Sequence, residues 1–590
     1  MADLVVNGQN DAHVERVIVK RRVGGWHGLS LGVRRLPLWI LLGLILLQPT
    51  PHRLSQTVAG DLGDSMFLTW TLSWGARTLS SDPISVFDAN IFFPESETLA
   101  LSDPMLSLAP IYGVIEWFTG DSIVALNLLM FGLFVGALAA AHALAMRLFG
   151  RGDVALVVAV VACCNSYVFG QQNHPQLQTF GFLSLCFLLL LRAVEHRRVR
   201  DGVWLGLSIA AMTMATVYYG LIWVLSAIVV IAVLWLRRSL PAVRSLIRPG
   251  GAAVLTAGVF LAPLARIYQS VDERNGLARG YEPDNSLLVR DLITPQHDNW
   301  LWGSSLDGIN SASAPGEHSY FPGFLVLLLV MVGVAIAAVL LRRGAAVTRT
   351  GVRLDELVAI VSAGVVAGVL ALGPSPWGLK GPFRVLHRFL PGFDGIRVTS
   401  RFAVIAFVGG ALLVGLAVQY LSDHTSPRLR QWIAPLVVVV VLAEVGGPMG
   451  RVEVPAGDRL LVYEAIADRD AGVVLELPIY APPDGVRWAF VEAPRMYHAT
   501  TDWNPRVNGY SGSVPRDFTA NAQVLDSFPS ADAWLLITDL DVRYVILHGG
   551  VEQGFEAFDQ ATLSNMVAAA TAAGFRATAH GEDWLLERLA

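Results

Sequence analysis

Cysteine is scarce in this chain, and its placement excludes two classes of function. Only three of the 590 residues are cysteines, Cys163, Cys164 and Cys186, and all three lie within apolar runs. A disulfide-stabilised extracellular scaffold needs pairs of cysteines in polar loops, and a cysteine-based zinc site needs closely spaced ligands. Neither pattern is present in the sequence, so the function does not depend on cysteine chemistry.

Charge is also sparse. Charged residues make up 15% of the chain and apolar residues 54%, whereas about 25% of an average soluble protein is charged. An ordinary water-soluble enzyme is therefore excluded. The 43 basic residues against 48 acidic ones leave a net charge of -5, which gives no polybasic surface for nucleic acid. No nucleic-acid partner is expected.

Long apolar runs are abundant instead. Runs of about 20 apolar residues predict transmembrane helices, because a helix satisfies its own backbone hydrogen bonds inside lipid. The sequence predicts an α-helical polytopic membrane protein with about eleven spans. The expected spans are 33–48, 122–146, 154–170, 176–191, 203–217, 219–236, 249–268, 320–341, 355–373, 400–421 and 431–447.

Basic residues between the spans predict the orientation. Arginines are concentrated in alternate loops, around 147–151, 192–200, 237–248, 342–353 and 428–430, as the positive-inside rule expects for cytoplasmic segments. Residues 1–32 would then form a cytoplasmic tail, and 33–48 a retained anchor. The loops 49–121, 171–175, 269–319 and 374–399 would face outward, together with the C-terminal stretch.

The C-terminal stretch has a different composition from the membrane region. Within 451–590, the segments "AGVVLELPIY" and "VRYVILHGG" are typical of buried strands, and "FEAFDQATLSNMVAAATAAGF" has the apolar spacing of a helix. The sequence predicts a small extracytoplasmic α/β domain here, following a transmembrane domain over 33–450. We find no catalytic motif within this domain.

The first outer loop, 49–121, is acidic and too long for a simple connector. Its segment "GDLGDSMFLTWTLSW" places Phe67, Trp70 and Trp74 at helical spacing, which predicts an interfacial helix with its aromatic edge toward lipid. Asp64 would open that helix, either as an N-cap or as a general base that takes a proton from an incoming hydroxyl. Both roles are compatible, and Asp61 is the second candidate base.

The fourth outer loop and the start of the next span carry more basic residues than the positive-inside rule expects outside. The segment "FRVLHRF" predicts a short interfacial helix, with Phe383, Leu386 and Phe389 toward lipid. Its cationic side would either attract anionic headgroups or hold a bound phosphate in arginine forks. The candidate phosphate-binding residues are Arg384, His387, Arg388, Arg397 and Arg401, with Lys380 nearby.

Four further polar residues at outer positions are candidates for a substrate groove. They are Asp103, His174, Tyr218 and Tyr219. Each has a simpler explanation, since Asp103 precedes a proline as a helix cap would, His174 lies in a short turn, and tyrosines are common anchors at the membrane interface. The loop 269–319 could cover such a groove.

The segments "GDSMFLTWTLSW", "NIFFPESETLALSDP", "NHPQLQTF", "VYYG" and "LPGFDGIRVTSRF" together resemble the GT-C glycosyltransferases, in particular the large bacterial group of uncharacterised members. The resemblance covers most of the membrane region. It implies an enzyme at the outer face that uses a polyprenyl-phosphate-linked sugar and inverts its configuration. It also implies a catalytic Asp in the first outer loop, for which Gly63-Asp64 followed by Trp70 is the best match. The acceptor motifs of the protein-mannosylating and oligosaccharyl-transferring branches are absent, so the acceptor stays unknown.

Residue chemistry agrees with that implication. A hydroxyl acceptor needs a base, and a departing lipid phosphate needs positive charge. A divalent metal near the acidic loop stays open, although no fixed ligand spacing is visible. The alternatives are a transporter or flippase of lipid-linked sugars, or a non-catalytic membrane scaffold, and the first would place charges within the spans.

Overall fold

The computed structural model describes residues 35–47, 53–277, 285–296, 299–306, 315–343, 351–448, 450–454 and 460–589. The expected cytoplasmic tail, 1–32, lies outside these described residues. The described chain forms a helical bundle and a C-terminal domain built around a four-stranded sheet.

Every predicted span overlaps a helix of the bundle. The bundle helices are α1 (Leu36–Leu47), α4 (Ser122–Phe149), α5 (Gly152–Cys163), α7 (Gly181–His196), α8 (Val199–Ala215), α9 (Val217–Leu236), α10 (Val243–Asn275), α12 (Phe324–Arg342), α13 (Leu354–Ala371), α15 (Ala403–Asp423) and α16 (Pro427–Val445). Among the described residues, seven helical stretches are long and apolar enough to cross a bilayer. The chain is an integral membrane protein, and the total of eleven spans stays a prediction.

The predicted span 154–170 is broken in the structure. Helix α5 ends at Cys163, and a separate short helix, α6 (Ser166–Gly170), follows it. The Asn165 side chain accepts a hydrogen bond from the Val168 amide at 3.2 Å. An asparagine that caps a new helix competes with continuation of the preceding one, which explains the break.

One end of the bundle is held together by ion pairs between its loops. Arg147 pairs with Glu195 at 2.8 Å and with Glu356 at 2.7 Å. Arg151 pairs with Asp423 at 3.0 Å. These contacts join helix ends that the sequence analysis assigns to the cytoplasmic side, so the alternation of the loops agrees with the structure.

The C-terminal domain contains the predicted strands and helix. Strand β3 (Val473–Leu477) runs parallel to β4 (Val542–Leu547), and β4 pairs antiparallel with β8 (Asp583–Arg588), which pairs with β7 (Phe575–His580). The remaining helices here are α17 (Leu460–Ala467), α18 (Val486–His498), α19 (Phe518–Asp526), α20 (Ala531–Asp539) and α21 (Gln560–Ala572), and a two-stranded pair joins β5 (Val551–Glu552) to β6 (Phe555–Glu556).

The first outer loop belongs to the same hydrophobic core as this domain. It contributes strand β1 (Thr57–Ala59) and helices α2 (Leu62–Ser81) and α3 (Ala109–Thr119). Strand β1 pairs antiparallel with β2 (Arg451–Glu453) at the start of the C-terminal stretch. The two short helices α11 (Gly303–Leu306) and α14 (Phe383–Phe389) lie in the third and fourth outer loops.

The expectation that α2 turns its aromatic edge toward lipid is wrong. Phe67 and Trp70 are 5% and 1% exposed. The centres of the Phe67 and Tyr510 rings lie 5.3 Å apart in an edge-to-face arrangement. The Trp70 indole N–H donates a hydrogen bond of 3.2 Å to Asn90 Oδ1. The aromatic stripe therefore packs against the C-terminal domain, because an apolar helix face is equally satisfied by a protein surface.

Candidate functional site

Asp61, and not Asp64, caps helix α2. Its Oδ1 accepts a hydrogen bond from the Asp64 amide at 2.9 Å, which satisfies one of the unpaired N–H groups of the first turn. The expected capping role of Asp64 is therefore wrong. Asp64 lies inside the first turn of the helix, and its carboxylate is free to meet other side chains.

The Asp64 carboxylate is held between two groups from distant parts of the chain. Its Oδ2 lies 3.1 Å from His174 Nε2, and its Oδ1 accepts a hydrogen bond of 3.4 Å from the Tyr510 hydroxyl. The side chain is still 36% exposed. A substrate hydroxyl can therefore reach a carboxylate whose orientation is already fixed.

His174 is itself oriented by the turn that carries it. Its Nδ1 lies 2.7 Å from Asn173 Oδ1, and Asn173 Nδ2 donates a hydrogen bond of 2.7 Å to Asp61 Oδ2. An amide oxygen lies next to one ring nitrogen and a carboxylate oxygen next to the other, so the orientation of the ring is fixed on both sides. These contacts thus connect Asp61, Asn173, His174 and Asp64 in one chain. We call these four residues and Tyr510 the Asp64 cluster.

The pKa values of the two acids in this cluster are shifted in opposite directions. Burial would raise the pKa of Asp64, but the hydrogen bond from His174 and the charges of His174 and Arg401 outweigh it and hold the pKa below its ordinary value. Burial and the negative charge of Asp64 raise the pKa of Asp61. Asp64 is therefore the acid with the lowered pKa, while both oxygens of Asp61 accept structural hydrogen bonds.

Arg401 connects the basic segment to the Asp64 cluster. It forms an ion pair of 2.7 Å with Glu317, and its guanidinium lies 5.1 Å from the centre of the Tyr218 ring. Burial would raise the pKa of Glu317, but the charge and hydrogen bond of Arg401 lower it. The same guanidinium also lowers the pKa of Asp64, so its charge acts on both the Glu317 and the Asp64 carboxyls.

Arg397 lies beside this group. Its backbone amide donates a hydrogen bond of 3.0 Å to the Tyr218 hydroxyl. The Arg397 charge counteracts the rise in the pKa of Tyr510 that burial and Asp64 produce, and it also lowers the pKa of Glu317. Two arginines therefore act electrostatically on the groups around Asp64.

The contacts of Arg384, His387 and Arg388 that the structure gives lie within their own loop. Arg384 donates hydrogen bonds to the Pro374 carbonyl at 2.8 Å and to Ser375 at 2.6 Å, within its own loop. Arg388 is exposed and lies over the ring of Phe389, and His387 lies 6.2 Å from the Phe383 ring. The short helix is present as expected. Its lipid-facing assignment is wrong for Phe383, which is buried, and fits Phe389, which is 71% exposed.

The remaining candidates support neighbouring elements. Asp103 accepts hydrogen bonds from Thr216 at 2.9 Å and from the Val217 amide at 3.2 Å, so it caps the start of α9. Tyr219 is fully buried and donates a hydrogen bond to the Leu177 carbonyl at 2.8 Å. Tyr218 is the member of this set that touches the arginines of the site.

Three participants were not identified from the sequence. Glu317, Tyr510 and Asn173 each come from a different outer segment, and none of them lies in a recognisable catalytic pattern. Only the contacts of the folded chain reveal them. Within the described ranges, no group of three or more His, Cys, Asp or Glu side chains is arranged to hold a metal ion.

Tyr510 is held in place by a buried ionic network in the C-terminal domain. Asn508, two residues earlier, donates a hydrogen bond of 2.9 Å to the Glu476 carbonyl and one of 3.2 Å to Glu492. Glu476 receives a hydrogen bond of 2.8 Å from Arg506 and lies 3.0 Å from His548. Since these side chains are all buried, the network fixes the segment that presents Tyr510 to Asp64.

This network should make the stability of the protein depend on pH. Burial raises the pKa of Glu492 to about 7. Burial would lower the pKa of His548, but the charges of Glu552 and Asp583 raise it to about 9. Both groups bind a proton more tightly when folded, so their contribution is complete at acidic pH and is lost as pH rises through about 7 and then about 9.

We expect the unfolding temperature of the full chain to fall between pH 5 and pH 7.5, with Glu492 contributing up to about 3 kcal/mol. Glu492→Gln cannot ionise and should flatten that part of the profile. Thermal unfolding of both proteins across this pH range measures the difference. An unchanged slope in the variant would contradict the assignment of the titration to Glu492.

The fold has counterparts among solved structures. The arabinofuranosyltransferase AftD from Mycobacteria matches with a TM-score of 0.53 and 13% identity, over 92% of this chain. The chain spans 37% of the length of that protein. ArnT from Cupriavidus metallidurans matches in its apo state with a TM-score of 0.46 and 10% identity, over 96% of this chain and 98% of the other. Its complex with undecaprenyl phosphate gives a TM-score of 0.40 and 10% identity, over 96% and 99%.

No family model matches the sequence, and no curated protein matches it. At this level of identity the comparison concerns the fold alone. The helical bundle, the helices in its outer loops and the C-terminal sheet domain together have a fold similar to that of the arabinofuranosyltransferase AftD.

Proposed function

We propose that the protein is a glycosyltransferase that moves a sugar from a polyprenyl-phosphate-linked donor to a hydroxyl acceptor at the outer face of the membrane. The observation that carries this proposal is a partly exposed Asp64 carboxylate that is held by His174 and Tyr510 and whose pKa the charge of Arg401 helps to lower. A base and a cationic group within one site are what the transfer of a sugar from a phosphate requires.

In the proposed reaction, the acceptor oxygen attacks the anomeric carbon of the sugar from the side opposite the phosphate. The new carbon–oxygen bond forms as the bond to the phosphate oxygen breaks, which inverts the configuration. Asp64 takes the proton of the acceptor hydroxyl, and the polyprenyl phosphate leaves with the bonding electron pair. Asp61 is the second candidate base, although its two oxygens already accept hydrogen bonds.

Arg397 and Arg401 are proposed to stabilise the negative charge that grows on the departing phosphate. Arginine suits this role because it stays charged and matches phosphate oxygens bidentately. Glu317 holds Arg401 in position through their ion pair. Arg384, His387 and Arg388 would contact the donor lipid farther from the reacting bond, while Asp103, His174, Tyr218 and Tyr219 would shape the groove.

The test is transfer of a radiolabelled sugar by the purified full chain in proteoliposomes. Synthetic polyprenyl-phosphate donors carrying a pentose or a hexose are both supplied, since the similar AftD is an arabinofuranosyltransferase. Lipid extracts of a bacterial cell envelope provide the acceptors. We expect labelled product together with an equal amount of released polyprenyl phosphate.

Movement of the intact donor across the bilayer without release of polyprenyl phosphate would instead support a flippase. Failure of every donor to yield product, in a preparation that retains its fold, would contradict the proposed transferase.

A further inference from the structure

A pocket lies beside the Asp64 cluster, at the outer end of helices α1 and α4. It is shallow and partly open to solvent, with an enclosed volume of about 20 Å³, so a bound group would sit at its mouth. One wall is apolar and the other is polar. The lining residues that matter are the apolar Leu47, Leu126, Met130 and Phe131, and the polar Asn127, Gln172, Asn173 and Arg451.

Arg451 is fixed at this pocket by neutral groups. Its Nε donates a hydrogen bond of 2.8 Å to the Thr57 hydroxyl, and its Nη2 donates to the Thr57 carbonyl at 3.0 Å and to Asn127 Oδ1 at 2.8 Å. These bonds tie β2 to β1 and to α4. They use three of the five N–H groups of the guanidinium, and the two on Nη1 have no hydrogen-bond partner among the described residues.

No carboxylate lies within ion-pair distance of Arg451 in the part of the chain that the structure describes. Burial lowers the pKa of Arg451, and its three hydrogen bonds to neutral groups bring no opposite charge to it. A half-buried cation of this kind is costly to the fold unless an anion reaches it. The two unused N–H groups are suited to the oxygens of a phosphate.

The apolar wall indicates what the rest of the ligand must be. Helix α1 exposes Leu41, Leu44 and Ile45 on its outer surface, each at about half of its full area (52%, 49% and 49%). This surface is suited to the lipid bilayer. Since the wall of the pocket is made by the same helix and by α4, a ligand with a hydrocarbon chain can extend from the pocket into the membrane.

We propose that this pocket binds an anionic lipid, with its phosphate on Arg451 and its hydrocarbon chain along α1 and α4. The proposed site is distinct from the arginines near Asp64, and the inference does not depend on the proposed reaction. Asn173 connects the two places, because it lines the pocket and donates a hydrogen bond to Asp61. A lipid bound here would therefore lie next to the turn that orients His174.

The experiment measures lipid retention by the detergent-purified full chain with native mass spectrometry. The probes are phosphatidylglycerol, zwitterionic phosphatidylethanolamine as its comparison, and inorganic phosphate as a competitor without a hydrocarbon chain. Wild type is compared with Arg451→Gln and with Arg53→Gln. Arg53 is an exposed basic residue of the first outer loop and does not line the pocket, so its replacement removes equal charge outside the pocket lining.

We expect wild type and Arg53→Gln to retain phosphatidylglycerol in preference to phosphatidylethanolamine. Arg451→Gln should lower that retention about tenfold or more, as loss of a charge-assisted hydrogen bond does. Gln172→Glu is a second variant, which keeps Arg451 and its bonds but adds a negative charge to the pocket. It should weaken phosphatidylglycerol binding even if Arg451→Gln does not fold.

Equal retention in wild type and in the folded pocket variants would overturn the proposal. An equal loss in Arg53→Gln would also overturn it, because the effect would then come from general surface charge. Displacement of the lipid by millimolar inorganic phosphate would contradict the part assigned to the hydrocarbon chain. Resistance to phosphate, with sensitivity to Arg451→Gln, supports the lipid site as proposed.

Discussion

Asp64→Asn is expected to lower the rate of sugar transfer by about 10²- to 10⁴-fold, the usual range for loss of a general base. Asparagine has nearly the same shape as aspartate, but its amide cannot take the proton of the acceptor. The His174 ring would lose its anionic partner, while the helix cap made by Asp61 would remain. Initial rates of labelled-sugar transfer in proteoliposomes, at saturating donor, provide the measurement.

Asp61→Asn is the matched control for this experiment. The side-chain oxygen of the new asparagine can still cap α2. Its NH₂ group, however, would replace the carboxylate oxygen that accepts the hydrogen bond from Asn173 Nδ2. We expect a loss of stability near 1 kcal/mol, typical of a weakened cap, and a smaller loss of activity than in Asp64→Asn. The reverse order of activities, with both proteins folded and inserted, would transfer the role of base to Asp61.

The second large effect is expected for Arg401→Gln. Loss of a group that stabilises developing charge lowers rates by about 10²- to 10³-fold. The same change leaves the half-buried Glu317 without its ion-pair partner, and breaking a buried pair in this way destabilises by about 3–5 kcal/mol. A low rate alone would therefore be ambiguous between catalysis and folding.

The double variant Arg401→Gln with Glu317→Gln separates these two causes. Removing both charges should recover most of the unfolding temperature and leave the transfer rate low. Lys380→Gln, at an exposed position in the neighbouring loop, is the control for loss of surface charge. Recovery of activity in the double variant would contradict the role of Arg401 at the donor phosphate and indicate a purely structural ion pair.

The membrane helices were predictable because their signal is local and strong. A run of apolar residues can satisfy its backbone only as a helix in lipid, and the charges of the connecting loops depend on nothing distant. The strands of the C-terminal domain were predictable for a similar reason, since the run from Val473 to Leu477 is apolar on both sides except for Glu476. That exception is the buried acid of the ionic network.

The site was less predictable because identical patterns have more than one physical solution. The aromatic stripe of Phe67 and Trp70 fits lipid and protein equally well, and either acid of "GDLGD" could cap α2. Arg401 was among the candidates from the sequence, but its ion pair with Glu317 joins residues 84 positions apart and has no local signal. No local periodicity could reveal that Tyr510 meets Asp64, because 446 positions separate the two residues along the chain.

That contact also has a consequence for biosynthesis. Asp64 is made early and Tyr510 late, and strand β1 has no partner until β2 follows the last helix of the bundle. If the predicted orientation is correct, the C-terminal domain must be exported and folded before the wall around Asp64 is complete. A nascent chain halted in the membrane would thus hold Asp64 without Tyr510, so the site is complete only after the C-terminal domain has been made and folded.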